Sequence, residues 1–385
     1  MTLLFVNANK VDADGQADDF WMRVDGGRIM ATGTGGAPLS AGAEVVDLRG
    51  GILTPGFIDL HGHGGGGASV DDGVEAIATA LATHRAHGTT RSVLSLVAAP
   101  LAELRSSIAI IADLADADPL VLGSHAEGPF LAAARRGAHA PEHLQSPGPD
   151  AIDSLIEAGR GSLRQVTIAP ELPGGLDAIR RLVDAGVRAA VGHTEADAET
   201  ARAAFDAGAS ILTHAFNAMP GIHHREPGPV VAAMRDERVT LELVLDGQHV
   251  VADVARIAFT GAPGRIALVT DAMAAAGAAD GDWQLGSLAV TVRDGLATLR
   301  GTDTIAGSTL TQDRALRIAV DEVGVSLVDA VAALTLVPAK ALGLDAGGAG
   351  RPRLGRLATG HAADAVALND ELRVEAVWGD GRRLV

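Results

Sequence analysis

The chain has 385 residues, contains no cysteine and carries a formal net charge of −17 at pH 7. The missing thiols exclude disulfides, thiolate metal ligands and a cysteine nucleophile. The negative charge argues against nucleic acid and anionic membrane surfaces as partners, since both are bound through positive charge. A small anionic ligand would need a local cluster of positive charge.

The start of the chain does not have the features of a targeting segment. Met1 to Asp12 lacks the basic start and the long apolar run of a signal peptide. No apolar stretch approaches the ~20 residues that span a bilayer. We therefore expect a cytoplasmic protein.

Both ends of the chain predict short β-strands. The opening segment, Leu3 to Val46, and the closing segment, Gly355 to Val385, alternate apolar runs with glycine-rich turns such as Asp25-Gly26-Gly27. We expect these ends to form one small β-sandwich domain, residues 1–54 plus 344–385.

The middle of the chain, residues 55–343, repeats a short apolar strand, a polar tip and an alanine-rich helix. The eight predicted strands are Ile52 to Leu60, Thr90 to Leu96, Leu120 to His125, Gln165 to Ala169, Arg188 to Val191, Ser210 to Thr213, Thr240 to Leu245 and Arg265 to Thr270. Helices are predicted at Val74 to His87, Leu101 to Ala115, Leu176 to Ala185, Asp197 to Ala207 and Leu310 to Val323. Eight such units favour a closed (β/α)8 TIM-type barrel over an open doubly wound sheet.

One stretch interrupts this repeat. Trp283 to Leu299, with Arg293-Asp294-Gly295 as a turn, predicts a β-hairpin inserted near 283–299, between the eighth strand and its helix.

Side chains that can bind a metal ion follow five of the predicted strands. The carboxyl ends of barrel strands meet at one mouth, so residues far apart in sequence come together there. Imidazole and carboxylate groups suit zinc or a similar divalent ion. The candidates, in chain order, are His61, His63, His125, Glu127, His193, His214 and Asp271. A single histidine at a strand end is usually structural, but this many at one level predict a metal site.

The positions within this set add two expectations. Residues i and i+2 of an extended strand share one side, so His61 and His63 can both face the barrel axis. The only lysines, Lys10 and Lys340, lie outside the predicted barrel strands, so a bridging anion would be a carboxylate, for which Glu127 has the right position. Four histidines lack this placement and are interpreted as structural or exposed: His84, His87, His143 and His361.

Four strings of residues carry a family resemblance. They are Pro55-Gly56-Phe57-Ile58-Asp59-Leu60-His61-Gly62-His63, His125-Ala126-Glu127-Gly128-Pro129-Phe130, Thr213-His214-Ala215-Phe216-Asn217-Ala218-Met219-Pro220 and Asp246-Gly247-Gln248-His249. With these strings the sequence resembles, over essentially its whole length, the N-acetylglucosamine-6-phosphate deacetylase family of the amidohydrolase superfamily. The resemblance implies metal-dependent hydrolysis of the acetamide of N-acetylglucosamine 6-phosphate, in amino-sugar catabolism or cell-wall recycling.

The resemblance also implies a role for each metal-site residue. Glu127, His193 and His214 would hold the principal ion, and His61 and His63 would hold a second. Some family members lack the His-x-His pair and use one ion, so we expect one or two ions per subunit. Zinc is the expected metal, with iron, cobalt, manganese or cadmium as alternatives.

Catalytic roles follow from the same resemblance. Asp271 matches the family's catalytic acid/base, whereas from the residues alone it could also be a helix N-cap. Either a metal ion or His139 would stabilise the oxyanion.

Substrate contacts are implied as well. Arg225 would bind the phosphate in the neighbouring subunit's site, together with Asn217 and Ala218, which implies a homodimer. The other positions implied in substrate binding are Ala138, His139, Asp246, Gly247, Gln248, His249, Ile305, Ala306 and Gly307. No role follows for His223 and His224.

Two other functions are compatible with the same architecture. One is another deacetylase or a D-aminoacylase that acts on an unphosphorylated N-acyl compound. The other is a barrel that has lost catalysis and serves as a binding or assembly protein, although the complete set of candidate ligands argues against it.

Overall fold

The computed structural model describes residues 2–38, 42–348 and 352–385. The chain forms two compact units. One unit comprises Met1–Asp59, His84–Arg91 and Gln312–Val385, and the other comprises Leu60–Thr83 and Ser92–Thr311. The domain boundaries expected from the sequence stay a prediction. Among the described helices, none combines the length and hydropathy that crossing a membrane requires.

Within the described residues, strands and helices alternate along most of the barrel, from β9 to β15. The strands are β1 (Leu3–Asp12), β2 (Gly15–Asp25), β3 (Arg28–Thr34), β4 (Glu44–Asp47), β5 (Ile52–Pro55), β6 (Phe57–Asp59), β7 (Gly64–Gly65), β8 (Ala68–Ser69), β9 (Thr89–Leu96), β10 (Val121–Glu127), β11 (Leu163–Ile168), β12 (Arg188–Val191), β13 (Ile211–Leu212), β14 (Thr240–Val244), β15 (Ile266–Val269), β16 (Gly281–Leu285), β17 (Leu288–Arg293), β18 (Leu296–Leu299), β19 (Ala365–Leu368), β20 (Val374–Gly379) and β21 (Arg382–Arg383). The α-helices are α1 (Val74–Ala86), α2 (Leu101–Ala117), α3 (Pro149–Gly159), α4 (Gly175–Asp184), α5 (Ala198–Asp206), α6 (Gly228–Arg235), α7 (Ala252–Gly261), α8 (Gln312–Ile318), α9 (Leu327–Leu334) and α10 (Leu336–Ala341).

The two chain ends share one eight-stranded sheet. Its hydrogen-bonded order is β21-β20-β19-β5-β1-β2-β3, and β4 pairs with β1 beside this path. The C-terminal strand β19 pairs antiparallel with β5, which brings the ends of the chain together. The expectation of a small β domain built from both termini is confirmed.

The eight barrel strands lie in the order β15-β14-β13-β12-β11-β10-β9-β6. Every residue of β10 and β14 is buried, as expected for parallel strands that are covered on both faces. A parallel bridge between Gly62 and Ala272 joins the ends of the first and last strands and nearly closes the barrel. The TIM-type barrel is therefore confirmed.

The first predicted strand is divided in the structure. Residues 52–55 form β5 of the terminal sheet, whereas 57–59 form β6 of the barrel sheet. Gly56 separates them because the backbone passes very close to β9: a Cβ at this position would lie 2.3 Å from Thr90 Oγ1. The Pro55-Gly56 pair is a local signal for this break, but the apolar residues on both sides of it favoured a single strand.

The insertion after β15 is a three-stranded antiparallel sheet, β16-β17-β18, and not a two-stranded hairpin. The expected turn at Asp294-Gly295 joins β17 to β18, and a second turn at Gly286-Ser287 joins β16 to β17. Val290, Val292 and Ala297 bury one face of this sheet. The extra strand is β16, whose residues are mostly exposed and therefore give little hydrophobic signal.

Candidate active site

The barrel strands bring the sequence-predicted ligands to one mouth. His61 and His63 follow β6, Glu127 ends β10, His193 follows β12, His214 follows β13 and Asp271 follows β15. All six side chains are buried. Since these residues come from five strands, the barrel geometry itself assembles the cluster.

The Glu127 carboxylate lies at the centre of four imidazoles. Its Oε1 is 3.1 Å from both His193 Nε2 and His214 Nε2, and 3.3 Å from His61 Nε2. Its Oε2 is 3.1 Å from His63 Nε2. A carboxylate with this placement can ligate or bridge ions on either side.

The imidazole nitrogens converge in two pairs. His193 Nε2 lies 2.9 Å from His214 Nε2, and His61 Nε2 lies 3.1 Å from His63 Nε2. Zinc–nitrogen bonds are about 2.0–2.1 Å long, so two nitrogens at these separations can bind one ion. Each pair therefore has the spacing of a metal half-site.

Asp271 faces the second pair. Its Oδ1 is 3.3 Å from His63 Nε2 and 3.5 Å from His61 Nε2. Its backbone is held at both ends, since its N–H donates to His61 O and its carbonyl accepts from Ser308 N, each at 2.7 Å. The carboxylate is thus fixed at the edge of the metal-binding cluster.

The protonation preferences of the cluster show that it favours added positive charge. Burial disfavours the charged form of His61 and His63, but Glu127 and Asp271 outweigh it; the pKa of His61 lies well above its usual range and that of His63 rises to about 9. Burial likewise opposes ionisation of Glu127 and Asp271, yet the surrounding histidines hold the pKa of both carboxyls well below normal. A divalent cation would satisfy the same electrostatic demand.

Two buried ring nitrogens leave the tautomers of His63 and His214 free to suit a metal ion. Among the described residues, His63 Nδ1 and His214 Nδ1 are buried and have no hydrogen-bond partner. If Nδ1 carries the ring proton, Nε2 keeps its lone pair and can bind a metal ion. The donor types, their spacing and their burial therefore fit one or two divalent ions.

The hydrogen-bond partner of Nδ1 determines whether Nε2 of the same imidazole can bind a metal ion. His193 Nδ1 lies 2.8 Å from the carbonyl oxygen of Arg135, which can only accept, so the proton is on Nδ1 and the Nε2 lone pair can bind metal. His139 is the opposite case, because Ala98 N–H donates to its Nδ1 at 3.1 Å. The His139 proton is then on Nε2, 3.4 Å from Glu127 Oε2, where it is a hydrogen-bond donor and not a ligand.

His125 is excluded from the ligand set by its own contacts. Its Nδ1 lies 2.9 Å from Ser95 Oγ and its Nε2 lies 2.8 Å from Thr167 Oγ1. Burial and the neighbouring His61 hold its pKa well below normal, so the ring is neutral. The strand end His125-Ala126-Glu127 therefore contributes Glu127 and not His125 to the cluster, because both His125 nitrogens already have hydroxyl partners.

A cavity of about 400 Å³ opens next to this cluster. Twelve residues expected in the site line it: His63, Glu127, Ala138, His139, His193, His214, Asn217, Ala218, His249, Asp271, Ile305 and Gly307. The lining also includes residues that sequence reasoning missed: Val97, Ala134, Arg135, Arg136, Gly137, Leu285 and Thr304. Arg135 and Arg136 give this acidic protein positive charge at the cavity, and no periodicity or motif indicated them.

Six expected residues do not line the cavity. His61 lies buried behind it, and Ala306 is buried between two lining residues. The carboxylate of Asp246 accepts from the backbone N–H of Gln248 and His249 and pairs with His249 Nδ1 at 2.8 Å. That loop, Asp246-Gly247-Gln248, thus holds His249 toward the cavity. Arg225 is exposed, with Nη1 2.7 Å from His224 Nε2.

The sequence model of the amidohydrolase family matches residues 52–384. This match spans both the barrel strands and the cluster described above. The chain belongs to the amidohydrolase family. Its buried His, Glu and Asp cluster fits the metal dependence of amidohydrolases.

Relatives of this amidohydrolase include deacetylases of two phosphorylated amino sugars. It is 38% identical over 373 residues to the N-acetylgalactosamine-6-phosphate deacetylase of Escherichia coli O157:H7, with 96% of each chain covered. It is 36% identical to the N-acetylglucosamine-6-phosphate deacetylase of Homo sapiens, with 94% of this chain and 90% of that one covered.

A solved structure has the same fold. The N-acetyl-D-glucosamine-6-phosphate deacetylase of Mycobacterium smegmatis is 41% identical, with a TM-score of 0.93 and complete coverage of both chains. An aspartate-to-alanine mutant of that enzyme was solved in complex with N-acetyl-D-glucosamine-6-phosphate.

Proposed function

We propose that this amidohydrolase removes the acetyl group from N-acetylglucosamine 6-phosphate, giving glucosamine 6-phosphate and acetate. The observation that carries the proposal is the Glu127 carboxylate at the centre of four imidazole nitrogens, on the wall of a cavity of about 400 Å³. The identity of the substrate is inferred from the relatives that are named for this activity. We place the reaction in amino-sugar catabolism or cell-wall recycling, in the cytoplasm.

Five residues hold the metal in this proposal. Glu127, His193 and His214 bind the principal ion, and His61 and His63 bind the second. Zinc is the expected metal because imidazole and carboxylate are its usual ligands. A divalent ion held there would polarise the amide carbonyl and lower the pKa of a bound water molecule toward about 7.

Asp271 moves the proton. Its depressed pKa keeps it a carboxylate at neutral pH, so it can accept a proton from the water that attacks the acetamide carbon. It then gives that proton to the sugar nitrogen as the C–N bond breaks. Amide and water thus become the sugar amine and acetic acid; at neutral pH the proton of the acid passes to the amine, giving acetate and the ammonium form of the sugar, which balances the hydrolysis.

His139 stabilises the charge that develops on the acetamide oxygen. Its Nε2–H is directed toward the Glu127 end of the cavity because Ala98 fixes Nδ1 as the acceptor. A preorganised donor at that place binds the oxygen more strongly once it becomes negative, which favours the transition state over the bound substrate.

In this proposal the phosphorylated sugar is bound by other groups that line the cavity. Asn217, Ala218 and His249 line the cavity, and the pKa of His249 is raised because Asp246 and Asp271 outweigh the cost of burying its charge. Ala138, His249, Ile305 and Gly307 line the cavity and contact the sugar in this proposal, whereas the buried Ala306 supports the backbone between the last two. Arg225 points to solvent in the single chain, and we propose that it binds phosphate in the partner subunit of a homodimer.

The decisive experiment is acetate release from matched substrates. Purified protein with added zinc should deacetylate N-acetylglucosamine 6-phosphate much faster than N-acetylglucosamine, and a chelator should abolish the reaction. Equal rates on both sugars would favour the alternative, a deacetylase or D-aminoacylase of unphosphorylated N-acyl compounds.

N-acetylgalactosamine 6-phosphate belongs in the same assay. The relative that is 38% identical is named as a deacetylase of this epimer. A preference for the galactose epimer would move the proposal to this second substrate without changing the site or the chemistry.

A further inference from the structure

A fully buried carboxylate lies directly below the metal-binding cluster, on the seventh barrel strand. Glu242 belongs to β14, and its Oε1 accepts from Gln165 Nε2 at 2.8 Å. Its Oε2 lies 3.3 Å from His61 Nδ1 and 3.4 Å from the backbone nitrogen of His214. Glu242 therefore contacts one residue from each of the two histidine pairs.

The surroundings of Glu242 do not otherwise balance its charge. Among the described residues its one ion-pair partner is His61, and no arginine or lysine lies within 4.0 Å of its oxygens. Burying a carboxylate costs several kcal/mol unless a positive charge compensates for it. In this protein the compensating charge must come through the His61 imidazole.

The contact also decides which nitrogen of His61 can bind a metal ion. A carboxylate oxygen can only accept, so the His61 proton is on Nδ1 and the lone pair is on Nε2. That Nε2 lies 3.1 Å from His63 Nε2 and 3.3 Å from Glu127 Oε1, facing the second half-site. Partners of this kind orient metal-binding histidines and strengthen their bond to the ion.

We propose that Glu242 is a positioning residue that holds His61 in the metal-binding tautomer and thereby secures a second divalent ion in each subunit. The proposal rests on the metal-dependent reaction above, and it concerns how many ions the chain holds.

Charge counting supports two ions. The cluster and its floor contain three buried carboxylates, Glu127, Asp271 and Glu242. One divalent ion would leave one uncompensated negative charge among three buried carboxylates, and this charge attracts a second cation. Glu242 thus raises the affinity for the second ion in particular, since it contacts the side chain of His61 but only the backbone of His214.

The test is metal stoichiometry, measured without substrate. After zinc loading and dialysis, the unmodified protein should contain two ions per chain and Glu242→Gln should contain one. Titration with cobalt, followed by visible absorption, should show a second-ion affinity that is about 10- to 100-fold weaker in Glu242→Gln, with the first ion little changed. Glu242→Asp keeps the charge and should retain part of the second-ion affinity.

Thr167→Val is the matched control. This substitution removes two buried hydrogen bonds in the same barrel floor, one to His125 and one to Thr213. It leaves the contact between Glu242 and His61 in place. It should bind two ions like the unmodified protein. Two tightly bound ions in Glu242→Gln, or equal loss of both ions in Glu242→Gln and Thr167→Val, would overturn the proposal.

A folding defect in Glu242→Gln would not leave the question open. Glu242→Asp would then decide it, since a second-ion affinity unchanged from that of the unmodified protein contradicts the role. Failure of the proposed function is separate, because it would be seen as absent acetate release from the unmodified, metal-loaded protein.

Discussion

At the scale of single residues, the cavity is organised by which ring nitrogen carries a proton. His61 and His193 donate from Nδ1 to acceptor-only oxygens, which leaves the Nε2 lone pair for a metal ion. His139 accepts at Nδ1 and keeps its proton on Nε2. The same side chain type therefore provides both ligands and a hydrogen-bond donor within one cluster.

His139 should affect turnover without affecting metal content. His139→Asn removes the Nε2–H donor and should lower kcat by about 10²- to 10³-fold, the loss expected for one oxyanion donor. His139→Gln can place an amide N–H near the same point and should be less impaired. Steady-state kinetics combined with metal analysis would show this, and loss of an ion from His139→Asn would instead make His139 a ligand.

Asp271 should separate chemistry from metal binding in the same way. Asp271→Asn preserves the shape of the side chain but cannot accept the proton, so turnover should fall at least about 10²-fold while both ions remain. Single-turnover deacetylation and metal analysis of the same preparation would test this. Near-normal turnover would end the acid/base role.

The sequence predicted the positions of the site residues at the strand ends, but it did not predict their backbone conformations. His193, His214 and Asp271 have positive φ values of 47°, 27° and 48°, which is unfavourable for residues with a Cβ. Their strained turns follow barrel strands directly and aim the side chains into the mouth. Glu242 was missed although an acidic residue inside the apolar strand Thr240–Val244 is itself unusual.

At the scale of the elements, β10 shows how the barrel backbone places Glu127. The strand shifts register against both neighbours, between Val121 and Gly123 on one side and between Ser124 and His125 on the other. Gly123 has φ +138°, and a Cβ there would lie 1.9 Å from Ser162 O. Only glycine fits at this shift, four residues before Glu127.

Gly123→Ala should therefore destabilise the protein and disturb the metal site. The forced φ and the backbone clash should together lower the free energy of unfolding by at least about 2 kcal/mol. Gly148→Ala is the control, because Gly148 has φ −83° and nothing lies within 4 Å of its added Cβ. Denaturant unfolding of both variants would test this; equal stability would mean that β10 can relax.

The sequence predicted the bounds of strands and helices correctly where an apolar run or a capping residue marks them. The strand Arg188–Val191 has the expected bounds, and α5 begins beside its expected start because the Asp197 side chain accepts from Thr200 N at 2.7 Å. The break at Gly56 and the exposed strand β16 were missed. In both cases the deciding contact is made with residues far along the chain or with solvent, which a local apolar pattern does not record.

At the scale of the whole molecule, the proposed reaction requires that a protein with a net charge of −17 bind an anionic sugar phosphate. The positive charge at the cavity of one chain comes from Arg135 and Arg136, together with His249, whose pKa is raised. Arg225 lies on an exposed segment, residues 221–226, and forms its hydrogen bonds there with His223 and His224. This exposed position fits the proposed role of Arg225 at the site of a partner subunit.

This arrangement can be tested by mixing two defective chains. Arg225→Ala should mainly raise KM for the phosphorylated sugar, since it removes binding and not chemistry, whereas Asp271→Asn should lose turnover. In a mixed dimer, the chain with intact Asp271 would receive Arg225 from its partner and form one complete site. Random mixing at equal amounts should thus return about a quarter of all sites to normal, because half of the dimers are mixed and each has one repaired site.

Activity assayed at low substrate concentration should rise well above the sum of the two separate variants after they are unfolded and refolded together. Activity equal to that sum, in a preparation shown to contain mixed dimers, would assign Arg225 to its own chain's cavity or to no site at all.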